Sequence, residues 1–345
     1  MKDKILTKAI AEQFLAGKIK DLESFTSIET EAAKALATFK GSWIELNGLT
    51  SLTAETAKAL ACFEGGTLSL DGLTSLSAET AKALACFEGF LSLNGLTSLS
   101  PEAAIALTSF DGEYHSIGKG EGDVGPIPSE KSNISTLYAD EHENDLKFTD
   151  ASDILKYGTE PANDLGEMVF SNSLNLTLNG LTSLPAETAK GLASLKGGFL
   201  KLDGLTSLSP EAAKNLASFK GLLSLNGLTS LSAKTAKALS SLEGSLDLNG
   251  LKSLSAETAK GLASLKGGFG SLDLNGLTSL SDEAAKALAC FEGSTLILYG
   301  LTSLSDKAAQ ALASLEFVDL RLNDLMSLSP EAAKALASRE ENYNL

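Results

Sequence analysis

LSLDGLTSLSAETAKALACFEG, residues 68–89, is the clearest copy of a unit that recurs along the chain. Its central phrase G-L-T-S-L returns every 23 to 26 residues on either side of one long interruption. A repeat of this length is one supersecondary unit that buries its apolar face only against its neighbours, so the pattern predicts a solenoid. The glycine of the phrase stands at Gly48, Gly72, Gly95, Gly180, Gly204, Gly227, Gly250, Gly276 and Gly300.

Each unit is predicted to form a strand, a corner and a short helix. In residues 68–71 leucine alternates with polar residues, which is the period-2 pattern of a strand with one inward face. Gly72 is expected to bend the chain at the corner. Ser77 is a natural N-cap for a helix whose apolar stripe includes Leu84, and we expect Gly89 to end that helix as a left-handed C-cap.

The stacking of such units predicts the fold class. Successive strands pair in parallel about 4.8 Å apart, whereas packed helices need on the order of 8 to 10 Å between their axes. The array is therefore expected to curve, with the parallel sheet on its concave face and short helices on its convex face. Because strand–helix–strand crossovers are right-handed, we predict a right-handed α/β solenoid.

The sequence L-T-S-L-S followed by E-x-A-K-A-L-A resembles the bacterial leucine-rich repeats and is similar to their BspA-like class. The resemblance covers residues 22–110 and 174–338 and implies a leucine-rich-repeat fold that serves binding. The common consensus has an asparagine at the corner, where this chain has Leu73 and its equivalents. We therefore expect an asparagine ladder one face over, formed by Asn47, Asn94, Asn179, Asn226, Asn249 and Asn275.

The repeats and their interruption divide the chain into segments. We predict an N-terminal capping helix over residues 1–21 and repeat turns over 22–112. An irregular acidic insertion follows over residues 113–172. Further turns, ending in a C-terminal capping turn, are expected over 173–338, with a polar tail over 339–345.

The interruption differs from the repeats in composition. Residues 111–172 hold 14 Asp or Glu against 4 Lys, which gives ten of the sixteen net negative charges, and both histidines, His115 and His142. A degenerate turn within it would take Glu113–Gly118 as a fifth strand and Asp150–Tyr157 as a helix. Long irregular insertions are frequent places of function, but a tolerated surface excursion is the other interpretation left open here.

Charge and hydropathy exclude several classes of partner. A net charge of −16, with Arg321 and Arg339 as the only arginines, argues against nucleic-acid binding, which requires clustered basic residues. The N-terminus lacks the apolar stretch of a secretory signal, and no run reaches the roughly 18 apolar residues of a membrane span. We therefore expect a cytoplasmic protein without membrane contact.

Few residues of the sequence support a catalytic or metal-binding role. Cys62, Cys86 and Cys290 share one repeat position where other turns have serine. We therefore interpret them as small residues at the helix end and not as nucleophiles. The acidic run around His142 matches neither an EF-hand nor an H-E-x-x-H zinc helix. We predict no catalytic residues, no cofactor and no resident metal.

Binding residues are expected on the outward face of the concave sheet, where side chains vary over an invariant leucine scaffold. Aromatic side chains in the first half of this face are typical interface anchors. An alternative is that Trp43, Phe90 and Phe199 only pack over the edge of the solenoid. The candidate partner-binding residues are Trp43, Glu45, Phe90, Phe199, Lys201, Leu222, Asp247, Asp273, Tyr299 and Arg321.

These observations predict a non-enzymatic protein–protein interaction module. It would present its concave sheet, its acidic insertion or both to a protein partner, and we expect it to be a monomer. Two alternatives stay open: a self-assembling coat or adhesin-like protein, and a metal-regulated protein that acts through the insertion.

Overall fold

The computed structural model describes residues 4–109, 174–265 and 270–342, with side chains as far as Arg339. Ten strands form one parallel sheet in which each strand pairs with its neighbours in the sequence, and the first two strands of the chain form a separate sheet. The strands are β1 Ile5–Leu6, β2 Ser27–Ile28, β3 Trp43–Glu45, β4 Thr67–Ser69, β5 Phe90–Ser92, β6 Asn175–Thr177, β7 Phe199–Lys201, β8 Leu222–Ser224, β9 Leu246–Asp247, β10 Ser271–Asp273, β11 Thr295–Ile297 and β12 Asp319–Arg321.

A short helix follows each strand and packs against the helices of the neighbouring turns. Strand and helix therefore alternate along an open parallel sheet, and the described turns form the predicted α/β solenoid. The helices are α1 Lys8–Leu15, α2 Thr30–Leu36, α3 Ala54–Leu60, α4 Ala78–Leu84, α5 Pro101–Thr108, α6 Ala186–Leu192, α7 Pro210–Leu216, α8 Ala233–Leu239, α9 Ala256–Ala263, α10 Asp282–Leu288, α11 Asp306–Ala313 and α12 Pro330–Asn342.

The core is built from the same positions in successive turns. In the turn of residues 68–89, Leu68, Leu70, Leu73 and Leu84 are all at most 1% exposed. Their equivalents join them in one apolar cluster that extends from Leu6 to Ala332. The period-2 alternation of the strand and the helical spacing thus direct their leucines into the same column.

The helices begin as the sequence predicts. Ser209 accepts a hydrogen bond from the Ala212 backbone amide through its Oγ (3.1 Å), which satisfies a first-turn N–H that lacks a helical partner. Equivalent serine or threonine caps start most of the other helices, whereas α6 begins after Pro185, which makes no such bond.

Removal of one cap tests its contribution to stability. We expect Ser209→Ala to lower the free energy of unfolding by about 1 kcal/mol, because the Ala212 amide loses its acceptor. Urea denaturation followed by circular dichroism measures this change. Ser207→Ala, at an exposed corner serine just before the cap, is the matched control and should change stability little. Equal losses in the two variants would contradict the capping role.

The helix ends differ from the prediction. Helix α4 ends at Leu84, and its C-cap residue Ala85 has right-handed helical angles. Gly89 lies four residues further on, so the prediction that it is a left-handed C-cap was wrong. A methyl group on Gly89 would lie 2.6 Å from the Gly66 carbonyl oxygen, which shows that this glycine makes room for the neighbouring turn.

The glycines of G-L-T-S-L also serve the stacking of turns. None of them has a positive φ, so left-handed geometry is not what requires them. A methyl group at Gly72 would lie 2.2 Å from the Asn47 carbonyl oxygen and 2.6 Å from that of Leu49. All nine glycines meet the backbone of the preceding turn in this way. The fold therefore needs glycine here because two backbones approach too closely for a side chain.

The long insertion leaves the stack continuous. Strand β5 pairs directly with β6, with Leu91 opposite Leu176 in the register. On the helical side, the Thr108 hydroxyl donates to the Gly191 carbonyl (2.9 Å). β5 and β6 are therefore direct neighbours in the sheet. The predicted fifth strand and closing helix themselves lie outside the described residues.

A ladder of side chains runs across the sheet just beyond the C-terminal ends of the strands; it contains the expected asparagines and also Asp71 and Asp203, which were not predicted. Asn94 Oδ1 accepts from the Asn179 amide (2.9 Å), and Asn179 Oδ1 accepts from the Asp203 amide in the next turn (2.9 Å). The pattern begins at Asn47 and reaches the amide of Tyr299. Side chains of this row thus satisfy backbone donors that the short strands leave unpaired.

The N-terminal segment contains a strand as well as a helix. β1 precedes α1, and it pairs with β2 at the Thr26-Ser27-Ile28 corner of the next turn. Phe14 of α1 packs on Phe39, with ring centroids 5.1 Å apart. This segment therefore continues the repeat pattern of the turns that follow it.

Candidate protein-binding face

The outward face of the ten-stranded sheet carries two parallel rows of side chains. The central row contains the last residue of each strand, and the strand register aligns Glu45, Ser69 and Ser92 at its start. The flanking row contains the residue two positions earlier, so that Trp43, Thr67 and Phe90 are aligned. The structure therefore brings the predicted binding residues into these two rows, except Tyr299, which lies in the asparagine ladder.

The flanking row exposes the apolar candidates to different extents. The Trp43 side chain on β3 is 52% exposed, and it is one of the few large apolar side chains exposed in the described part of the chain. Phe90 and Phe199 are half-buried, and so is Leu222, which stands opposite Phe199 in the register. This row therefore offers apolar surface that is already positioned on rigid strands.

Charged groups stand beside these apolar residues. The Lys201 ammonium lies 5.0 Å from the centre of the Phe199 ring, which is a cation–π arrangement. On β3, at one end of the ten-stranded sheet, Glu45 is exposed on the same strand as Trp43. The face thus presents one charge of each sign next to an aromatic ring.

Short hydroxyl side chains occupy much of the central row, and the ladder uses them. Ser69 Oγ donates to Asn47 Oδ1 at 2.6 Å, and Ser224 Oγ donates to Asp203 Oδ1 at the same distance. Ser224 is fully buried. The variation of this row is therefore partly structural, a role that the alternation of inward and outward residues does not reveal.

The two aspartates of the central row are buried. Asp247 is 7% exposed and Asp273 is 2% exposed, and the two are partners in the register of β9 and β10. Burial, followed by the charges of Asp273 and then Asp203, raises the pKa of Asp247 to about 7, although Lys201 opposes the shift. Burial likewise raises the pKa of Asp273. These carboxyls were predicted as surface contacts, but the structure places them below the surface.

The C-terminal end of the face is polar. Arg321 Nε donates to Asp319 Oδ2 (2.8 Å). The hydrogen bond to Asp319, and to a smaller extent the one to Tyr299, raises the pKa of the guanidinium above its ordinary value. Arg321 and Tyr299 are both partly exposed. They form a group separate from Trp43, because seven strands lie between β3 and β11 in the sheet and eight between β3 and β12.

The described residues contain few side chains arranged for metal binding or nucleophilic catalysis. They bring together no group of three His, Cys, Asp or Glu side chains that could hold a metal. The three cysteines are exposed and unbridged. His115, His142 and the acidic run around His142 lie outside the described residues. Among the described helices, none is both long and apolar enough to cross a bilayer.

No protein-family model and no curated protein sequence matches the chain. A chain of the Toll–Spatzle complex of Drosophila is similar at 11% identity and a TM-score of 0.46, over 97% of this chain and 37% of that one. The leucine-rich-repeat-containing protein LegL7 of Legionella pneumophila is similar at 15% identity and a TM-score of 0.43, over 90% and 94%. The described turns define a leucine-rich-repeat-like α/β solenoid.

Proposed function

We propose that this chain is a non-enzymatic protein-interaction module that binds a protein partner on the outward face of its sheet. The main support for this proposal is the flanking row, which places Trp43, Phe90 and Phe199 on every second strand above a fully buried leucine core. Aromatic residues on a rigid scaffold lose little conformational entropy on binding and are frequent hot spots of interfaces.

The spacing of the row favours one type of partner segment. Neighbouring parallel strands lie about 4.8 Å apart, so anchors on alternate strands lie about 10 Å apart. An α-helix rises about 10.5 Å over seven residues, so its positions i and i+7 match that spacing. An amphipathic helix that crosses the strands would place apolar residues between Trp43 and Phe90 and between Phe90 and Phe199.

The other candidate residues have supporting roles in this proposal. Glu45 and Lys201 supply charges of opposite sign that would set the direction of the bound segment. Tyr299 with Arg321 forms a polar contact at the far end, whereas the buried Asp247 and Asp273 have no part in the contact. The insertion over residues 113–172 has no part in the proposal.

Replacement of the exposed anchor tests the proposed face. We expect Trp43→Ser to weaken binding of a captured partner by at least about tenfold, because it removes exposed apolar area at a side chain outside the buried core cluster. The partner is captured with the wild-type chain, purified, and titrated against each variant by calorimetry.

The matched control is Ile105→Ser on helix α5, whose side chain is 53% exposed on the helical side of the solenoid. It removes a similar exposed apolar group and should leave the affinity unchanged. Equal affinities of wild type and Trp43→Ser would refute the proposed face. So would a loss of binding in Ile105→Ser alone.

A further inference from the structure

Near both ends of the described turns, the corners of consecutive turns are joined by the same backbone hydrogen-bond pattern. The Thr26 amide donates to the Lys4 carbonyl oxygen at 2.9 Å, and the Ser27 amide donates to the same oxygen at 3.4 Å. At the other end, the Met326 amide donates to the Thr302 carbonyl oxygen at 2.9 Å, and the Ser327 amide donates to it at 3.4 Å. Lys4, Thr26, Thr302 and Met326 therefore hold equivalent positions in the repeat.

Among the described residues, these corner contacts stop at Lys4 on one side and at Met326 on the other. β1 is the outer strand of the two-stranded sheet, and β12 is the last strand of the ten-stranded sheet. Exposed strand edges carry unpaired backbone donors and acceptors, which are templates for pairing with another chain.

Apolar side chains are exposed at the same two ends. Of the six large apolar side chains that are exposed in the described residues, four lie there. Ile5 is 50% exposed at the N-terminal end, whereas Phe317, Met326 and Leu328 are 87%, 85% and 36% exposed at the C-terminal end. In the preceding turn, Leu304, the equivalent of Leu328, is only 8% exposed because the next corner covers it.

The two ends also differ in charge. Residues 4–21 have a net charge of +2 in an otherwise acidic chain, whereas residues 316–331 have a net charge of −3. The basic end holds Lys4, Lys8, Lys18 and Lys20 against Glu12 and Asp21. The acidic end holds Glu316, Asp319, Asp324 and Glu331 against Arg321. Opposite charges on complementary surfaces favour their encounter.

We propose that the C-terminal end of the solenoid binds the N-terminal end of a second copy of this chain. Residues 4–6 of one copy add in parallel to residues 326–328 of the other and repeat the corner contact for one more turn. Ile5 then covers the exposed Met326 and Leu328. Such a contact joins two different surfaces and does not close on itself, so it extends into chains of molecules. This interface replaces the monomer expected from the sequence and is independent of the sheet face.

Blocking each end separately tests this contact. Ile5→Lys blocks the N-terminal end, and Met326→Lys blocks the C-terminal end. Sedimentation velocity is measured at concentrations up to about 200 µM in low salt, where weak contacts and charge attraction are both favoured. We expect the wild type to form oligomers that grow with concentration and shrink at about 500 mM salt. Each variant alone should be a monomer, and their equimolar mixture should form a dimer and stop there.

The mixture is decisive because each variant keeps the end that the other lacks. Ile105→Lys, on the exposed side of α5, is the matched control and should oligomerise like the wild type. Circular dichroism confirms that each variant is folded. A wild type that stays monomeric throughout overturns the proposal, and so does a dimer of Ile5→Lys alone, since that variant has only its C-terminal ends available. Trp43→Ser should not change the oligomers, which separates this contact from the proposed partner site.

Discussion

Gly204→Ala is expected to destabilise the solenoid by more than about 3 kcal/mol, because overpacking against rigid backbone exceeds the usual cost of one added methyl group. The new methyl carbon would lie 1.8 Å from the Asn179 carbonyl oxygen and 2.8 Å from that of Leu181. Both oxygens belong to the backbone of the preceding turn, which no side-chain rotation can move. Relief of the clash requires separation of the two turns, and that breaks the hydrogen bond from the Asp203 amide to Asn179.

Gly66→Ala is the matched control for this prediction. A methyl group there has the Ser42 carbonyl oxygen as its nearest neighbour, at an ordinary contact distance of 3.6 Å, and the backbone φ is not positive. The substitution should be neutral or slightly stabilising, since alanine restricts the unfolded chain more than glycine does. Urea unfolding of the two variants measures the difference. Similar stabilities would show that the turns are able to separate without loss.

The fold was predictable from the sequence because every turn repeats the same local signals. Leucines at period 2, a serine cap and a helical stripe of alanine and leucine each predict one element, and the 23 to 26 residue spacing stacks these elements. The ladder was predictable as well, because the consensus corner position holds Leu73 while Asn47 and its equivalents stand just before the glycine.

The reason for the corner glycines could not be read in this way. A glycine indicates either a special backbone angle or a close approach, and one turn by itself favours the first interpretation. The contact that requires Gly72 lies on the preceding turn, at Asn47 and Leu49. The direct pairing of β5 with β6 was hidden for a similar reason, because the partners lie far apart in the sequence.

The two rows of the candidate site were predictable from the sequence, but the exposure of their side chains was not. Alternation along a strand separates inward from outward side chains, and the register confirms that alignment for Trp43 and Phe90. It carries no information on how far an outward side chain reaches into solvent. Trp43 and Asp247 are therefore indistinguishable in the pattern, although one is 52% exposed and the other 7%.

The buried pair Asp247 and Asp273 gives the solenoid an unfavourable electrostatic term at neutral pH. Oδ1 of Asp247 is buried and has no hydrogen-bond partner, so its ionised form is poorly solvated. Its register partner Asp273 adds a like charge on the neighbouring strand, and Asp203 adds a third, while Lys201 offsets part of the repulsion. The pKa of Asp247 rises from 3.8 to about 7 as a result.

The direction of the pH dependence follows from this shift. Between pH 4 and 7 the folded chain holds a proton on Asp247 that the unfolded chain has released, so the fold loses stability as the pH rises through this window. Below the window both states are protonated, and above it the loss is complete. A shift of this size corresponds to an upper bound of about 4 kcal/mol. Asp247→Asn keeps the shape of the side chain and removes this loss.

We therefore expect Asp247→Asn to be more stable than the wild type by about 2 to 4 kcal/mol at pH 8 and equally stable near pH 4. Urea unfolding of both proteins at half-unit steps of pH measures the difference. Asp21→Asn, at an exposed aspartate of the N-terminal segment, is the control and should show no such divergence. Asp273→Asn should recover part of the gain, because it removes the nearest like charge from Asp247. If the stabilities of Asp247→Asn and wild type stay parallel from pH 4 to pH 8, Asp247 is ionised in the folded protein without penalty, and the buried carboxyls do not interact as described.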